Sequence, residues 1–427
     1  MKNKIEKLII CMISLVIINS ISMVSLSVQG ISTGVDDFSL STSNLSTQDI
    51  FWPPNSSEWT EVAPETQGLN SSKITEMFEF IETNSYDIHS VIIARNGYLL
   101  TEEYLQFSQI YRNIDGSKSY PWGLVHEQAS MTKSLMSILI GIALQEGYLD
   151  NINQTLYEFF AHIWSPSFPN STLKQNITIE QLLTHNSGII EEDGPNYPPG
   201  SLMGTKNDMI QWALNIPLVF TPGQAGAFEY SNDGPNLLSG IITNVTGKSA
   251  EEFAKEYLFE PLGISDDEYY WMNDSKGINF GGYFFQCSPE VQAKLGILCI
   301  NNGTWDGTQI VESNFIKNAT TSQNGNEHGY LFWMTDSSFG GYHAAGFGGQ
   351  AIYVIPEFDI VVGFTATNGG PYEQMISDYI LQFVEVPETG PNNPGIPGFE
   401  INLIFLMIFW SSAIIIVIRK KKLFNSK

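Results

Sequence analysis

The sequence is poor in cysteine, histidine and basic side chains. Its 427 residues include only three cysteines and six histidines, and no cysteine–histidine spacing fits a zinc site. Lysine and arginine total 20 against 45 acidic residues, so the formal net charge is -25. Because like charges repel, this balance argues against nucleic acid as a partner. We therefore expect no metal, no cofactor and no nucleic acid.

Two common hydrolase motifs are also missing. The chain contains neither the Gly-x-Ser-x-Gly turn of one large class of serine hydrolases nor the His-Glu-x-x-His helix of zinc proteases. It has no internal repeat. With 43% hydrophobic and 12% aromatic residues, however, it can bury a substantial core.

Long apolar runs occur at both ends of the chain. Three early lysines followed by an apolar stretch predict a secretory signal, or N-terminal apolar segment, over residues 1–30. Residues 401–418 carry no charge and lead into a basic tail, residues 419–427. A run of this length can just span a bilayer, with the basic end on the cytoplasmic side. The sequence thus predicts a transmembrane helix at 401–418, with everything between the two ends extracellular.

Acceptor motifs for N-glycosylation, Asn-x-Ser/Thr, agree with an external glycoprotein. The motifs begin at Asn44, Asn55, Asn70, Asn153, Asn170, Asn176, Asn244, Asn273, Asn302 and Asn318. Such motifs also arise by chance in an Asn-rich chain, so they support the topology without deciding it.

Strand-like runs lie near both ends of the central segment, and mostly helical patterns lie between them. The Asn96-Gly97 pair between two such runs favours a type I′ hairpin. Local pairing implies antiparallel strands, since parallel strands need long crossovers. The predicted fold class is α/β in the α+β sense: an antiparallel sheet flanked by helices, with an inserted all-helical domain. The predicted strands are 90–94, 98–104, 350–355 and 360–365, with helices at 74–81 and 372–383.

These patterns also give the domain boundaries. After the signal we expect a polar stalk at 31–60, a globular domain at 61–383 and a Pro/Gly-rich linker at 384–400. Within the globular domain, the sheet takes about 61–125 and 325–383, and the helical insert takes about 130–300.

The segment Ser130-x-x-Lys133 precedes an apolar run, residues 135–144, that predicts a buried helix. Residues three apart share one face of a helix. A serine attacks only when its proton is removed, and an amine can remove it once burial and the positive helix end lower the amine's pKa. Ser130 is therefore the candidate nucleophile and Lys133 its base. The same spacing at Ser171 and Lys174 lies in a polar loop, which indicates a chance match.

Two further elements could complete a site. In Tyr230-x-Asn232, the tyrosine can relay a proton and the asparagine amide can bind a substrate amide. Gly346 lies in a Gly-rich segment just before a predicted strand, where glycine lets the backbone approach a ligand. Each element is weak alone, since Tyr111-x-Asn113 has the same spacing as the first.

Taken in order and spacing, these elements resemble the serine β-lactamase and penicillin-binding-protein superfamily. The resemblance is greatest to its esterases, amidases and D-aminopeptidases, including the 6-aminohexanoate-dimer hydrolase type. Residues 182–188 and 261–263 also fit, and the resemblance spans about 62–383. It implies an acyl-enzyme at Ser130, proton transfer by Lys133 and Tyr230, substrate contact by Asn232, and an oxyanion hole at Ser130 and Phe347, the residue after Gly346.

One position departs from this pattern. In penicillin-recognising members the third motif begins with lysine or histidine, which helps to bind a substrate carboxylate, whereas this chain has Ala344. His343 is adjacent, but neighbouring strand residues point to opposite faces. The departure favours neutral substrates. We read His185 as structural, and His126 and His343 as candidates to line the cleft without an evident acidic partner.

The sequence therefore predicts a membrane-anchored extracytoplasmic serine hydrolase that acts on small-molecule esters, amides or peptides. Two alternatives stay open. One is a penicillin-recognising D-Ala-D-Ala carboxypeptidase or β-lactamase, and the other is a catalytically silent surface binding module with the same fold.

Overall fold

The computed structural model describes residues 51–105, 125–190, 208–323, 325–335 and 337–383. The predicted signal, linker, transmembrane helix and basic tail lie outside these residues. Within these ranges, no helix is both long and apolar enough to cross a membrane.

The end of the predicted stalk packs on the globular domain. Phe51 stacks on Tyr98 with ring centroids 4.3 Å apart. Trp59 is buried, and its Nε1 donates to the carbonyl of Gly97 at 3.2 Å. Residues 51–60 are therefore part of the domain and not of a flexible stalk.

Eleven strands form three antiparallel sheets within the described ranges. The largest has the order β2-β1-β11-β10-β9-β8, and a small sheet has the order β3-β5-β4. The strands are β1 Ile88–Arg95, β2 Tyr98–Tyr104, β3 His126–Glu127, β4 Tyr269–Trp271, β5 Phe285–Cys287, β6 Thr304–Trp305, β7 Thr308–Gln309, β8 Trp333–Met334, β9 Tyr342–Gly346, β10 Gln350–Ile355 and β11 Ile360–Ala366.

Helices surround this sheet and fill the chain between its two halves. They are α1 Ser71–Thr83, α2 Thr132–Gln145, α3 Leu156–Phe160, α4 Ser171–Lys174, α5 Ile179–Leu183, α6 Met209–Asn215, α7 Asp233–Thr246, α8 Ala250–Ala254, α9 Pro289–Ile300, α10 Ser313–Ala319 and α11 Tyr372–Met375. Short 3₁₀ turns lie at Ser56–Glu58, Pro64–Gln67, Ala129–Met131, Ala161–Ile163 and Pro356–Phe358, and π-helical turns at Lys255–Phe259 and Ile376–Ile380. The helix predicted at 372–383 is thus α11 followed by a π-helical turn.

Both faces of the large sheet are buried. Along β1, Val91 and Ile93 enter one hydrophobic cluster with α1, while Ile92 and Ala94 enter a second cluster with α2. Successive strand residues point to opposite faces, so a strand that is buried on both faces has a continuous run of apolar residues. This arrangement confirms the predicted fold class, an antiparallel sheet flanked by helices.

The Asn-Gly hairpin is confirmed in detail. Asn96 has φ 51° and Gly97 has φ 80°, which are the two left-handed residues of a type I′ turn. A Cβ on Gly97 would lie 1.8 Å from the carbonyl oxygen of Phe51, so glycine is required there for space as well as for backbone conformation.

The insert contains strands as well as helices. β4 and β5 fall within residues 130–300 and pair with each other, and β5 also pairs with β3, which corrects the expectation of an all-helical insert. Cys287 ends β5 and Cys299 lies in α9, and both are buried free thiols. β5 matters for function because it lies beside the turn that carries Ser130.

Candidate active site

Ser130 lies in a single 3₁₀ turn, Ala129–Met131, that leads directly into α2. The sequence predicted that it would lie in the first α-helical turn, and the difference is small because the chain continues in right-handed helical conformation. Lys133 Nζ lies 3.0 Å from Ser130 Oγ, so the structure brings the predicted nucleophile and base together.

The Lys133 amino group is buried among oxygen atoms. The side chain is 2% exposed, and Nζ also lies 2.6 Å from Asn232 Oδ1 and 2.7 Å from the carbonyl oxygen of Gly282. An ammonium has three N–H donors, which matches these two oxygens and Ser130 Oγ. A neutral amine has two donors and one lone pair, which equally matches two acceptors and one Ser130 hydroxyl donor.

Tyr230 lies beside this lysine. The centroid of its ring is 4.8 Å from Lys133 Nζ, and the ring stacks on Trp333 at 5.8 Å with 25° between the planes. An aromatic face near an ammonium stabilises the charged form by about 0.5–2 kcal/mol. The tyrosine segment immediately precedes α7, whose packing against α2 brings Tyr230 and Asn232 to the lysine.

His185 packs against Tyr230 and has a structural role. It is fully buried, its ring centroid is 4.7 Å from that of Tyr230, and its Nδ1 accepts the backbone N–H of Ser231 at 3.3 Å. Burial first, and then the positive charges of His328 and Lys133, hold the pKa of His185 well below its usual range. A histidine held neutral in this way is a packing and hydrogen-bonding group and not a proton carrier at neutral pH.

The Gly-rich end of β9 approaches the nucleophile turn closely. A Cβ added to Gly346 would lie 2.3 Å from the carbonyl oxygen of Gln128 and 3.2 Å from the Cβ of Ala129. Only glycine allows this approach, which brings the backbone of Phe347 next to the segment that carries Ser130. The Phe347 side chain is 91% exposed.

Ala344 and His343 point to opposite faces of β9. Ala344 is 3% exposed and belongs to the hydrophobic cluster on the α2 side. His343 stacks on Tyr353, a member of the cluster on the other side, at 4.8 Å, and its Nδ1 lies 3.2 Å from Thr335 Oγ1. Burial lowers the pKa of His343 to about 4. His343 therefore does not replace the lysine or histidine that penicillin-recognising members have at the position of Ala344.

His126 has a partner that the sequence did not reveal. Its Nδ1 donates to the carbonyl of Glu127 at 2.8 Å, so in the neutral ring Nε2 accepts from His89 Nδ1 at 2.9 Å. Burial is the main cause that lowers the pKa of His126 to about 4. The pair links β1 to the segment before Ser130, and the expectation that His126 simply lines the cleft is replaced by this contact.

The backbone at the nucleophile is strained. Ala129, directly before Ser130, has φ 47°, and Phe284, near the carbonyl that binds Lys133, has φ 68°. A residue other than glycine in this region costs about 1–3 kcal/mol and persists only where its surroundings hold it there. Strain of this kind is typical of functional sites.

Sequence reasoning missed the groups that reach the site from distant segments. Gly282 contributes a main-chain oxygen, which any residue type could supply, so no sequence motif indicates it. Trp333 lies in a two-residue strand that is too short to predict. Glu127 lies three residues before Ser130, and an acidic residue at that position is the one signal that could have been noticed. Within the part of the chain that the structure describes, no cluster of three or more His, Cys, Asp or Glu residues could hold a metal ion.

Part of the chain is similar in sequence to known proteins. Residues 87–273 match the sequence family named Beta-lactamase. Protein flp of Staphylococcus aureus (strain MW2) is 26% identical over 205 residues, which are 48% of this chain and 39% of that protein. The chain thus spans less than half the length of this curated relative.

Solved structures share the fold at low sequence identity. A family VIII carboxylesterase superposes with a TM-score of 0.58 at 16% identity, covering 75% of this chain and 98% of that one. An octameric penicillin-binding protein homologue from Pyrococcus abyssi gives a TM-score of 0.53 at 22% identity, covering 72% and 76%. The chain therefore has the β-lactamase fold, which is the fold that the sequence resemblance implied.

Proposed function

We propose that the protein is a serine hydrolase that forms an acyl-enzyme at Ser130. The observation that carries this proposal is the 3.0 Å contact between Ser130 Oγ and the buried Nζ of Lys133. A neutral lysine can donate to Asn232 Oδ1 and the Gly282 carbonyl and can accept the Ser130 hydroxyl proton. That is the arrangement a general base requires.

The reaction follows from these contacts. Ser130 Oγ bonds to the substrate carbonyl carbon while its proton passes to Lys133 Nζ. Tyr230, whose ring lies beside that nitrogen, passes the proton on to the leaving alcohol or amine as its bond to the carbonyl carbon breaks. Water then bonds to the carbonyl carbon of the Ser130 ester and gives one proton to the same groups. They pass a proton to Ser130 Oγ as its bond to that carbon breaks, and the carboxylic acid leaves.

The oxyanion hole is proposed to consist of the N–H groups of Ser130 and Phe347. The close approach of Gly346 to Gln128 and Ala129 supports this pairing, because it brings the next peptide group to the nucleophile turn. Preorganised N–H donors of this kind contribute roughly 3–4 kcal/mol each to transition-state stabilisation.

The substrate is proposed to be a neutral ester, amide or small peptide. Ala344 is apolar and buried where penicillin-recognising relatives carry a cation, and the chain has a net charge of -25. Without this charge-assisted hydrogen bond, the transition state of an anionic substrate is less stabilised by about 1.5–3 kcal/mol, which lowers kcat/KM by roughly one to two decades.

A matched substrate panel tests this specificity. For p-nitrophenyl esters and D-amino amides supplied with and without a free carboxylate near the scissile bond, the neutral member should be hydrolysed with about 10- to 100-fold higher kcat/KM. The Ser130→Ala protein provides the background rate for every pair. If a chromogenic cephalosporin is turned over faster than every neutral ester, the penicillin-recognising alternative replaces this proposal. If nothing in the panel is turned over, the silent binding module gains support.

We propose further that the hydrolase domain is extracellular and anchored by residues 401–418. The uncharged run and the basic tail in the sequence support the anchor. Exposure of acceptor asparagines supports the location, because those in the described ranges are exposed except for the half-buried Asn70.

Fractionation tests the anchor and the orientation together. The full chain should stay with membranes after alkaline carbonate washing, and added protease should cleave it on intact cells. A chain ending at residue 400 is the matched control and should be released into the medium. A full chain found in the soluble fraction would contradict the anchor, and protection from protease would contradict the orientation.

A further inference from the structure

One carboxylate oxygen holds the turn that carries the nucleophile. Glu127 Oε1 accepts the backbone N–H of Ala129 at 3.0 Å and the backbone N–H of Phe284 at 3.0 Å. Ala129 directly precedes Ser130, so this oxygen fixes the backbone at the entrance to the nucleophile turn.

The second of these bonds reaches the segment that binds the lysine. Phe284 follows Gly282 by two residues, and the carbonyl of Gly282 lies 2.7 Å from Lys133 Nζ. Glu127 therefore joins the backbone segment that leads into Ser130 to the segment whose carbonyl binds Lys133 Nζ.

Both residues held by this oxygen are in left-handed conformation. Ala129 has φ 47° and Phe284 has φ 68°, and neither is glycine. Such residues need surrounding contacts to keep them in place. A single acceptor that binds both N–H groups supplies that constraint for the two residues at once.

Neighbouring bonds connect the same two segments. Thr132 Oγ1 donates to the Ala129 carbonyl at 2.6 Å and accepts from the N–H of Phe285 at 3.3 Å, and the N–H of Gln128 donates to the Phe285 carbonyl at 2.8 Å. Several hydrogen bonds thus connect the two segments, and Glu127 is the acidic residue among the groups that make them.

The other carboxylate oxygen of Glu127 is buried at a cost in desolvation. Glu127 Oε2 is inaccessible to solvent and has no hydrogen-bond partner among the described residues. Burial raises the pKa of the Glu127 carboxyl to about 7, against the smaller lowering by its bonds to the backbone N–H groups of Ala129 and Phe284. An apolar side chain would avoid this desolvation, so what the site gains from Glu127 is the acceptor Oε1.

We propose that Glu127 is a positioning residue for acyl transfer, holding Ser130 Oγ within reach of Lys133 Nζ through the backbone of Ala129 and Phe284. The inference rests on the proposed function and extends it, because Glu127 touches neither the substrate nor the reacting atoms.

Three substitutions test the role. Glu127→Ala removes the acceptor and should lower kcat for a neutral p-nitrophenyl ester by about 10- to 100-fold, the scale of a misplaced reacting group. KM should change by less than about threefold, because the binding surface is unaltered. Glu127→Gln keeps an oxygen that can accept both N–H groups and should restore most of kcat. Glu127→Asp, whose carboxylate is one methylene shorter, should resemble the alanine variant.

Glu158→Ala is the matched control. Glu158 also accepts a backbone N–H, that of Thr155 at 2.8 Å, but in the exposed capping box of α3. Its kcat should stay at the wild-type value, which shows that losing a glutamate–backbone bond does not itself slow turnover.

The outcomes separate this role from the proposed function. Wild-type kcat in Glu127→Ala overturns the positioning role, and so does a Glu127→Gln protein as slow as the alanine variant. If Glu127→Ala does not fold, the decision passes to Glu127→Asp, where wild-type kcat rejects the role. The proposed function fails separately, if the wild-type protein takes no fluorophosphonate adduct at all.

Discussion

Replacing Ser130 with alanine should abolish acylation and lower turnover of a neutral ester by about 10⁶-fold, the size of the loss for a serine nucleophile that acts with its base. The hydroxyl is the only atom of Ser130 that can bond to the carbonyl carbon, and its proton acceptor Lys133 Nζ lies 3.0 Å away. Intact-mass analysis after fluorophosphonate treatment should show one adduct on the wild-type protein and none on Ser130→Ala.

The second Ser-x-x-Lys segment supplies the control for this experiment. Ser171 Oγ donates to the carbonyl of Ser165 at 3.1 Å and accepts from Trp164 Nε1 at 2.9 Å. Lys174 Nζ donates to the carbonyls of Leu214 and Ile216. Both side chains therefore have structural partners, and Ser171→Ala should label and turn over like the wild type. Labelling that survives in Ser130→Ala, or that maps to Ser171, would overturn the assignment.

Removing Lys133 or the Tyr230 hydroxyl should each cost about 10²- to 10⁴-fold in kcat, the contribution of general acid–base catalysis. The two side chains act on one proton, so their effects should not multiply. The double variant Lys133→Ala, Tyr230→Phe should be little slower than the slower single variant. Measured kcat values for the four proteins of this cycle test the coupling.

Stability must be measured alongside these rates. Lys133→Ala leaves Asn232 Oδ1 and the Gly282 carbonyl without their buried donor, at about 1–3 kcal/mol per group, so its melting temperature should fall. Tyr230→Phe keeps the ring and its stacking on Trp333, so its melting temperature should change less. Near-wild-type kcat in a folded Lys133→Ala protein would reject the lysine as base, and multiplicative losses would reject the coupled pair.

The parts of the site that could be predicted are those encoded within one segment. Ser130 and Lys133 are three residues apart, and that spacing puts both side chains on one face of a helix. Tyr230 and Asn232 lie on a second segment, and only their resemblance to a known pattern linked the two. Gly282 is 149 residues from the lysine that it binds, and its contribution is a carbonyl oxygen that every residue possesses. No sequence pattern could have identified it.

The same distinction applies to the fold. The Asn96-Gly97 turn and the β10–β11 pair are local, and the sequence predicted both. β3, β4, β5 and β8 are two or three residues long, and each exists because a partner strand lies beside it. Strands this short carry no periodicity to read, so the small sheet beside the nucleophile turn was not expected.

The central ladder between β1 and β11 has a consequence for how the chain folds. It joins residues from opposite ends of the domain: Ser90 Oγ lies 2.6 Å from Thr365 Oγ1, although 275 residues separate them. Contacts of such long range are slow to form, because the intervening chain loses its freedom before the contact is made. At the usual rate of synthesis, β1 waits roughly 14–55 s for β11 to be made.

During that interval the Ile- and Val-rich β1 has β2 as its neighbour and an unpaired edge on the other side. An apolar edge of this kind can pair with other nascent chains. A chain that stops before β11 keeps Ser130, Lys133, Tyr230 and the helices around them, yet it lacks the strand that joins the two halves of its sheet. The domain should therefore fold only after its synthesis is complete, and shorter fragments that contain all the catalytic side chains should aggregate.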